Sequence, residues 1–466
     1  MKAFGVSYIF AGFLLLVLSA SAQTFTTLHS FDETDGYGPY GALVQATNGS
    51  LYGTTFAGGG TNCGGVVFEL TTGGKFTTLT CFNGLNGGQP NGALIEGTNG
   101  NFYGTTATGG TAGLGTVFSV TSKGTLNFLY NFCSRLNSVG GCADGGRPAA
   151  GLVRAPNGNF YGTTNGGGGT TNTGTVFEIS PSGMLKTLHK FDGTDGANPI
   201  ARLIQATDGD FYGTTSADGA GGYGTIFKMT PSGTLTTFYS FDGTGATYPD
   251  AGLVQATNGD FYGTTSGFGI GGYGTVFKIT PSGALTILHI FDGTDGAYPY
   301  SDLVEAANGD LFGTTYTGGA NNYGTIFKIT PSGTLTTLYN FCAQSGCTDG
   351  GRPFSGLMQD TNGDFYGVAS VGGANGWGTV FSLSAGLGPF VKTQTTSGIV
   401  GAAVNILGSN LTDATSVTFN GVAAVFKVSS SSEISTTVPS GATTGKVEVV
   451  TATRTLSSIQ AFVVTP

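Results

Sequence analysis

The chain is poor in charge and in the residues that build catalytic centres. Only 9% of its 466 residues are charged, and it has three histidines and one tryptophan. With a net charge of −9 and no lysine and arginine cluster to neutralise phosphates, we expect no nucleic-acid partner. The motifs GxSxG, HExxH and CxxC are absent, and no segment has a sustained 3.6-residue apolar period, so helices should be nearly absent.

Long apolar runs are also missing, except at the N-terminus. There Lys2 precedes an apolar stretch from Ile9 to Leu18, and Ala20-Ser21-Ala22 forms a small-residue cleavage signal before Gln23. The pattern predicts a secretory signal peptide at residues 1–22, with an uncleaved anchor helix as the alternative. No later segment could cross a membrane, so we expect a secreted or cell-surface protein with no membrane span in the mature chain.

Six cysteines in a secreted chain favour disulfide pairing, and local spacing narrows the pairs. Cys133 and Cys142 bracket one loop between repeats, and Cys342 and Cys347 bracket the equivalent loop of a later repeat. Cys63 and Cys81 lie on two strands that we expect to pair. Free buried thiols are the alternative.

What the chain has in abundance is a repeat of about fifty residues with a YGTT core. A period of this size is typical of propellers and solenoids. Each complete unit has four short strands, and a proline opens each unit. Asn-Gly between the first two strands predicts a tight two-residue hairpin with positive φ at both residues, and Pro-Ser-Gly joins the third and fourth strands in four units. The seven cores begin at Tyr52, Tyr103, Tyr161, Tyr212, Tyr262, Phe312 and Tyr366, and the seven prolines are Pro39, Pro90, Pro148, Pro199, Pro249, Pro299 and Pro353.

The two ends of the repeat region predict a closed ring. The seventh unit stops after its third strand at Leu383, whereas residues Phe25 to Phe31 have the pattern of a fourth strand. An N-terminal strand that completes the last sheet leaves no open edge at the seam. The fold class is therefore an all-β, seven-bladed β-propeller over residues 23–384.

A linker at residues 385–388 precedes a segment of different composition at residues 389–466. Its alternating Val, Thr and Ser runs predict a small β-sandwich. The motifs VNILGSNL, VTFNGVAA and VPSGATTG (from Val404, Val417 and Val438) make it resemble an IPT/TIG immunoglobulin-like domain. Extracellular copies of that domain serve as spacers or adhesive modules.

The repeats resemble the kelch repeat in their strand, Gly-turn and Gly-Gly arrangement. A more specific resemblance, over Phe25 to Leu383, is to the GloVer tandem-repeat family of secreted bacterial proteins, carried by LVQATNGDFYGTT and GGYGTVFKITPSG. The resemblance implies a secreted propeller without an established catalytic activity. Members of the family often carry a C-terminal anchor, which the end of this chain does not show.

The histidines His29, His189 and His289 occupy one repeat position in three different units, so we expect a structural role and no shared metal. Acidic loops of the form FDGTDG contain Asp35, Asp195 and Asp295. Two aspartates supply only part of the six to eight oxygens that calcium needs. We therefore expect no cofactor, with calcium as the alternative.

The longer loops of a four-stranded blade should share one face of the disc. Aromatic rings beside carboxylates suit sugars, although the aromatic residues before each third strand could instead pack between blades. The candidate ligand-binding residues are Tyr40, Tyr223, Phe268, Tyr273, Tyr298, Tyr323, Trp377, Asp35, Asp195 and Asp295. A polar set on the innermost strands is predicted to line the central channel: Gln45, Glu96, Arg154, Gln205, Gln255, Glu305 and Gln359.

The sequence favours a non-enzymatic binding or adhesion protein, monomeric, with an extracellular glycan or protein as its ligand. Two alternatives remain open. One is a polysaccharide hydrolase or lyase with its site at the channel mouth, and the other is a structural repeat protein of a surface layer.

Overall fold

The computed structural model describes residues 23–138, 140–267 and 272–465, and the predicted signal peptide lies outside them. The all-β prediction is confirmed: the described residues form β-strands and one short 3₁₀ turn, Ser345–Cys347. No helix within these ranges is long and apolar enough to cross a membrane.

Seven four-stranded antiparallel sheets account for the repeats, and in the first six the four strands are consecutive in the chain. The strands are β1 Thr24–Ser30, β2 Val44–Gln45, β3 Leu51–Thr54, β4 Val66–Leu70, β5 Phe76–Cys81, β6 Ile95–Glu96, β7 Phe102–Thr106, β8 Thr116–Val120, β9 Leu126–Asn131, β10 Val153–Arg154, β11 Phe160–Thr164, β12 Thr175–Ile179, β13 Leu185–Lys190, β14 Ile204–Gln205, β15 Phe211–Thr215, β16 Thr225–Met229, β17 Leu235–Ser240, β18 Val254–Gln255, β19 Phe261–Thr265, β20 Thr275–Ile279, β21 Leu285–Ile290, β22 Val304–Glu305, β23 Leu311–Thr315, β24 Thr325–Ile329, β25 Leu335–Asn340, β26 Met358–Gln359, β27 Phe365–Ala369 and β28 Thr379–Ser384. Sheet 1 contains β2 to β5, each following sheet takes the next four strands, and sheet 7 has the order β1-β28-β27-β26.

The Asn-Gly turns differ from the tight two-residue hairpins that the sequence predicts. In unit 5 only Gly259 has a positive φ, and the first paired strand is two residues long. The amide of Ala256 donates to the carbonyl of Asp260, which closes a longer turn. Asn258 keeps a negative φ because its side chain is used elsewhere: Nδ2 donates to the Tyr262 hydroxyl at 2.9 Å, and Oδ1 accepts from the amide of Asp260.

The glycine and the two threonines of the YGTT core have separate structural tasks. At Gly263 an added Cβ would lie 2.6 Å from the Phe277 ring, so glycine permits the ring to pack on the strand. Thr264 Oγ1 donates to the carbonyl of Pro299 in the next unit at 3.0 Å. Thr265 Oγ1 lies 2.8 Å from Thr275 Oγ1 within its own sheet. The repeated tetrapeptide is therefore explained by packing and hydrogen bonding.

The apolar core lies between neighbouring sheets. Each of the core clusters in the repeat region draws its residues from two consecutive units, as Tyr262 and Phe327 do for units 5 and 6. One cluster joins Phe68 of unit 1 to Tyr366 of unit 7 and to Phe31, which directly follows β1. As the sequence predicts, β1 pairs antiparallel with β28, with Phe25 opposite Leu383.

The C-terminal module, residues 389–465, contains two four-stranded sheets, β29-β31-β35-β34 and β33-β32-β36-β37, and a parallel pair, β30 with β38. Its core includes Val404, Ile406, Phe419 and Val447. The strands are β29 Lys392–Thr393, β30 Ser397–Ile399, β31 Ala403–Leu407, β32 Ala414–Phe419, β33 Val422–Ala423, β34 Phe426–Val428, β35 Glu433–Thr437, β36 Val447–Thr451, β37 Thr455–Ser457 and β38 Val463–Thr465.

All three predicted cysteine pairs are disulfide-bonded. Cys63–Cys81 joins the loop before β4 to the end of β5, and the other two bonds close loops between consecutive sheets. No described cysteine is free.

Candidate ligand-binding site

The residue directly before each repeated proline has a left-handed backbone. In all seven units its φ lies between 55° and 61°, a region that glycine occupies freely and bulky residues rarely enter. A side chain here costs on the order of 1–3 kcal/mol. Six units nevertheless have a residue with a side chain at this position, although the chain contains 85 glycines. This indicates that these side chains contribute to structure or binding. The seven residues are Gly38, Gln89, Arg147, Asn198, Tyr248, Tyr298 and Arg352.

The residue directly after each proline varies from unit to unit and is aromatic in units 1, 6 and 7. The rings of Tyr300 and Phe354 are 5.4 Å apart, and those of Phe354 and Tyr40 are 5.3 Å apart. Three further rings extend this row. We call the set the aromatic crescent, and its members are Tyr40, Phe56, Tyr298, Tyr300, Tyr316 and Phe354.

The aromatic crescent is partly open to solvent. Phe354 is 41% exposed and Tyr300 and Tyr40 are part-buried. Burial is the main cause that raises the pKa of Tyr300 and of Tyr40, so both hydroxyls stay protonated at neutral pH. The crescent therefore presents apolar ring faces together with hydroxyl groups that donate and accept hydrogen bonds.

A guanidinium group lies at one side of the crescent. The Arg352 guanidinium sits 5.8 Å from the Tyr316 ring centre and 5.7 Å from that of Tyr323. Its backbone is held at both ends, since its amide donates to the Tyr323 carbonyl at 2.7 Å and its carbonyl accepts from Ser370 Oγ at 2.7 Å. Arg352 is exposed and forms no salt bridge among the described residues.

A carboxyl group, that of Asp250, lies near Tyr300 of the crescent. Burial raises the pKa of Asp250 to about 6, although a hydrogen bond from Ser266 opposes the shift. Asp250 also interacts electrostatically with Tyr300. Close by in the chain, Asp302 accepts from Arg202 Nε at 2.6 Å and from the amide of Gly252 at 2.6 Å, which ties units 4, 5 and 6 together.

The aromatic residues predicted from the sequence have mixed positions. Tyr40 and Tyr298 belong to the crescent, and Tyr323 lies under Arg352. Tyr273 and Tyr298 line a groove of about 490 Å³ beside the crescent. The remaining two pair with the next unit, Tyr223 with Tyr248 at 5.9 Å and Trp377 with Tyr37 at 5.0 Å. Phe268 lies outside the described residues.

In three units a histidine side chain hydrogen-bonds to an aspartate of the acidic loop, and this contact explains why histidine recurs at one repeat position. The Nε2 atoms of His29, His189 and His289 lie 2.8, 2.6 and 2.6 Å from Oδ2 of Asp35, Asp195 and Asp295. In two other units a tyrosine occupies this position and makes the equivalent hydrogen bond, as Tyr339 does when it donates to Asp349 at 2.7 Å. In the described ranges, no three His, Cys, Asp and Glu side chains lie together as a metal site.

Five of the seven polar residues on the innermost strands form hydrogen bonds with a neighbouring sheet, whereas Gln205 and Gln359 donate to carbonyls of their own turns. Glu96 accepts from the amide and the hydroxyl of Thr47 at 2.9 and 2.8 Å, and Glu305 accepts from Thr257 in the same way. Between units 7 and 1, Gln45 Nε2 donates to Thr361 Oγ1 at 3.0 Å. We call this set the polar belt, and its members are Gln45, Glu96, Arg154, Gln205, Gln255, Glu305 and Gln359.

The C-terminal module contacts the polar belt directly. Gln394 donates to Glu96 at 3.1 Å, and its carbonyl accepts from Arg154 at 2.8 Å. Gln460 donates to Glu305 at 2.9 Å. Because protein groups already occupy most of these polar atoms, with Gln359 Oε1 as a buried exception, the aromatic crescent is the better candidate for an external ligand.

Sequence reasoning missed Phe56, Asp250, Tyr300, Tyr316, Arg352 and Phe354. A signal for most of them is present, since four lie within one residue of the repeated proline. Comparing the residues on each side of that proline across the seven units would have separated these variable positions from the repeated framework.

Comparisons with known proteins agree with the repeat organisation. The model of the Gloeobacter/Verrucomicrobia repeat matches residues 12–141, 133–309 and 268–414, and that of the IPT/TIG domain matches residues 389–464. A search of curated proteins finds no significant match.

Two solved structures illustrate the likeness in fold. A fungal alcohol oxidase of the AA5 family, in complex with copper, is 13% identical, with 95% of this chain and 99% of that chain covered and a TM-score of 0.53. PorZ, a surface component of the type-IX secretion system of Porphyromonas gingivalis, is 15% identical, with 94% and 61% covered and a TM-score of 0.47. At 13% identity the likeness to the alcohol oxidase concerns the fold alone.

Proposed function

The chain belongs to the Gloeobacter/Verrucomicrobia repeat family, and from this membership we propose that it is a secreted, non-enzymatic surface protein that binds carbohydrate through the aromatic crescent. The IPT/TIG domain at its end and the three disulfides are consistent with an extracellular location. Residues 1–22 would be the signal peptide that directs secretion.

The proposed architecture is a seven-bladed propeller over residues 23–384, a linker at residues 385–388 and the immunoglobulin-like module. Three observations support closure of the ring. Strand β1 completes sheet 7, a core cluster joins sheets 7 and 1, and Gln45 bonds to Thr361 as Glu96 bonds to Thr47. In such a ring the crescent would curve around one mouth of the central channel.

The observation that carries the proposed function is the crescent itself. Six rings from units 1, 6 and 7 form one continuous row that is partly exposed and lies next to charged groups. Sugar rings present C–H patches that pack on aromatic faces, and hydroxyls that bond to polar groups at the edge. The left-handed backbone before each proline supports the proposal, since such strain concentrates at binding sites.

Asp250 gives one reason to keep a hydrolase or lyase as the second candidate. A carboxyl with a raised pKa suits a general acid. Glycoside cleavage normally needs two carboxyl groups, however, and the neighbouring Asp302 is engaged by Arg202. Turnover of a bound oligosaccharide that disappears in Asp250→Asn would favour the enzyme.

A glycan array with the purified chain tests the proposed function. Phe354→Ala should weaken binding by roughly tenfold, because a stacked ring contributes about 1–2 kcal/mol to a sugar contact. Phe128→Ala is the matched control, since Phe128 on β9 is 42% exposed against 41% for Phe354 and lies away from the crescent. No binding to any glycan, or equal loss in the two variants, would reject the proposal and leave a purely structural repeat protein.

A further inference from the structure

The cation that lies next to the crescent is an arginine, Arg352. The described lysines of the repeat region lie on the third or fourth strands or in the turns between them, and three of them pair with aspartates, as Lys228 does with Asp208 at 2.9 Å. Arg147, Arg202 and Arg352 lie instead in the segments that open units 3, 4 and 7. A planar guanidinium binds a carboxylate through two parallel hydrogen bonds, which an ammonium cannot do.

Of these three arginines, Arg352 is the one that is positioned for an external anion. Its guanidinium makes cation–π contacts with the rings of Tyr316 and Tyr323 and has no salt bridge among the described residues, so its N–H groups remain available to a ligand. Both of its backbone polar groups are hydrogen-bonded and its φ is 55°. The backbone position is therefore fixed, and the contacts of the side chain with the two rings restrict its rotamers, so less rotational freedom is lost when a ligand binds.

The charge of the whole chain makes this placement informative. The chain has 26 acidic and 17 basic residues, and a cation without a salt bridge among the described residues lies next to the aromatic crescent. A neutral sugar would gain little from such a cation, whereas an acidic sugar would gain a charge-assisted, bidentate hydrogen bond.

Building on the proposed function, we propose that the crescent binds acidic polysaccharide. Arg352 binds the carboxylate of a uronic acid, and Phe354 and Tyr300 stack on its sugar ring. The carboxylate, ring and hydroxyls of one uronic acid residue match the guanidinium, aromatic and phenol groups that meet here. The attraction is partly exposed to solvent, so affinity should fall as the salt concentration rises.

The test compares oligogalacturonate with the same oligomer after methyl esterification, which removes the charge and keeps the sugar ring. Titration calorimetry on the full chain should give at least about tenfold tighter binding to the free acid, since a hydrogen bond to a charged group contributes about 1.5–3 kcal/mol. Arg352→Gln should abolish that preference and leave binding of the ester unchanged.

Arg147→Gln is the matched control. Arg147 occupies the equivalent position before Pro148 with the same φ of 55°, but the residue after its proline is Ala149 and no aromatic ring lies under its guanidinium among the described residues. This variant should keep the preference for the free acid. Equal loss in both arginine variants would indicate a general charge effect and overturn the assignment.

Three further outcomes decide between the proposals. Equal binding of acid and ester, lost in Phe354→Ala, would keep the carbohydrate function and overturn the carboxylate site. Tighter binding of a sulfated oligomer than of the uronate would overturn the uronic acid assignment. Absence of binding to acid, ester and every glycan on the array would overturn the proposed function as well. Unfolding temperatures of all variants establish that lost binding is not lost folding.

Discussion

At the scale of single residues, the repeat separates framework from variation. The Tyr, Gly and Thr of the YGTT core bond and pack in the same way in successive units, as Thr214 and Thr264 both donate to a carbonyl of the next unit. The two residues beside the repeated proline instead change from unit to unit. A repeated framework with variable positions at one place in each unit is the arrangement that a recognition surface requires.

Asp250 gives a prediction at this scale. Its folded pKa of about 6 exceeds its ordinary value of 3.8 because burial disfavours the charge. Between these values the folded chain binds more protons than the unfolded chain, so its stability falls as the pH rises from about 4 to 6. Asp250→Asn removes this cost and should stabilise the protein by about 1–2 kcal/mol at pH 7, with little effect at pH 3.5.

Urea unfolding at a series of pH values measures this difference. Asp242→Asn is the control, because Asp242 is fully exposed and hydrogen bonds from Thr244 lower its pKa, so its variant should show no gain at pH 7. A stability difference between Asp250→Asn and the unaltered chain that does not change with pH would contradict the prediction.

At the scale of elements, β1 is the strand whose place matters most. It adds the outer strand to sheet 7, and its Phe25 ring lies 3.9 Å from Tyr339 and 5.2 Å from Phe381. Phe31, directly after β1, is fully buried between sheets 1 and 7. A segment more than three hundred residues away in the chain thus covers the open edge of the last sheet, which would otherwise be free to pair with another molecule.

A chain that begins at Asp32 should therefore be much less stable and prone to associate, and a synthetic peptide of residues 23–31 should restore its stability. We expect the peptide to raise the thermal unfolding temperature with a saturating dependence on concentration, as for any ligand that binds only the folded state. A scrambled peptide is the control. A truncated chain that is as stable as the full one would show that β1 is dispensable and would remove the main support for a closed ring.

The features that depend on local sequence pattern could be predicted from the sequence, whereas the side-chain contacts between units were missed. The strands around each YGTT core, the pairing of β1 and the disulfides follow from alternation and spacing. The contact of Phe354 with Tyr40 and Tyr300 was not predicted, since it depends on how the loops that open units 6, 7 and 1 pack against one another and not on the pattern within one unit. The prediction of a tight turn at Asn258 was wrong. The Asn258 side chain bonds to the Tyr262 hydroxyl, a contact that the preference of Asn-Gly for tight turns does not take into account.

At the scale of the whole molecule, the C-terminal module contacts the repeat region at the polar belt and at the turns beside it. Ser432 Oγ donates to the carbonyl of Thr47, and Ser409 Oγ lies 2.9 Å from Thr361 Oγ1. Burial lowers the pKa of Lys392, at the start of the module, to about 8. In a closed ring the module would cover one mouth of the channel, so that a ligand could approach only from the side of the crescent.

The last prediction concerns this contact. Replacing both Gln394 and Gln460 by alanine leaves Glu96 and Glu305 without two of their hydrogen bonds and should loosen the module, with little effect on the sheets themselves. Hydrogen–deuterium exchange should become faster in the turn at residues 46–50 and in β29 to β31, while β19 and β20 stay protected. Gln344→Ala, in an exposed disulfide loop of the repeat region, is the matched control. If the double variant exchanges like the unaltered chain at these segments, the two glutamines do not hold the module in place. If sheet 5 also loses protection, the module is part of the fold of the repeats and not a separate cover.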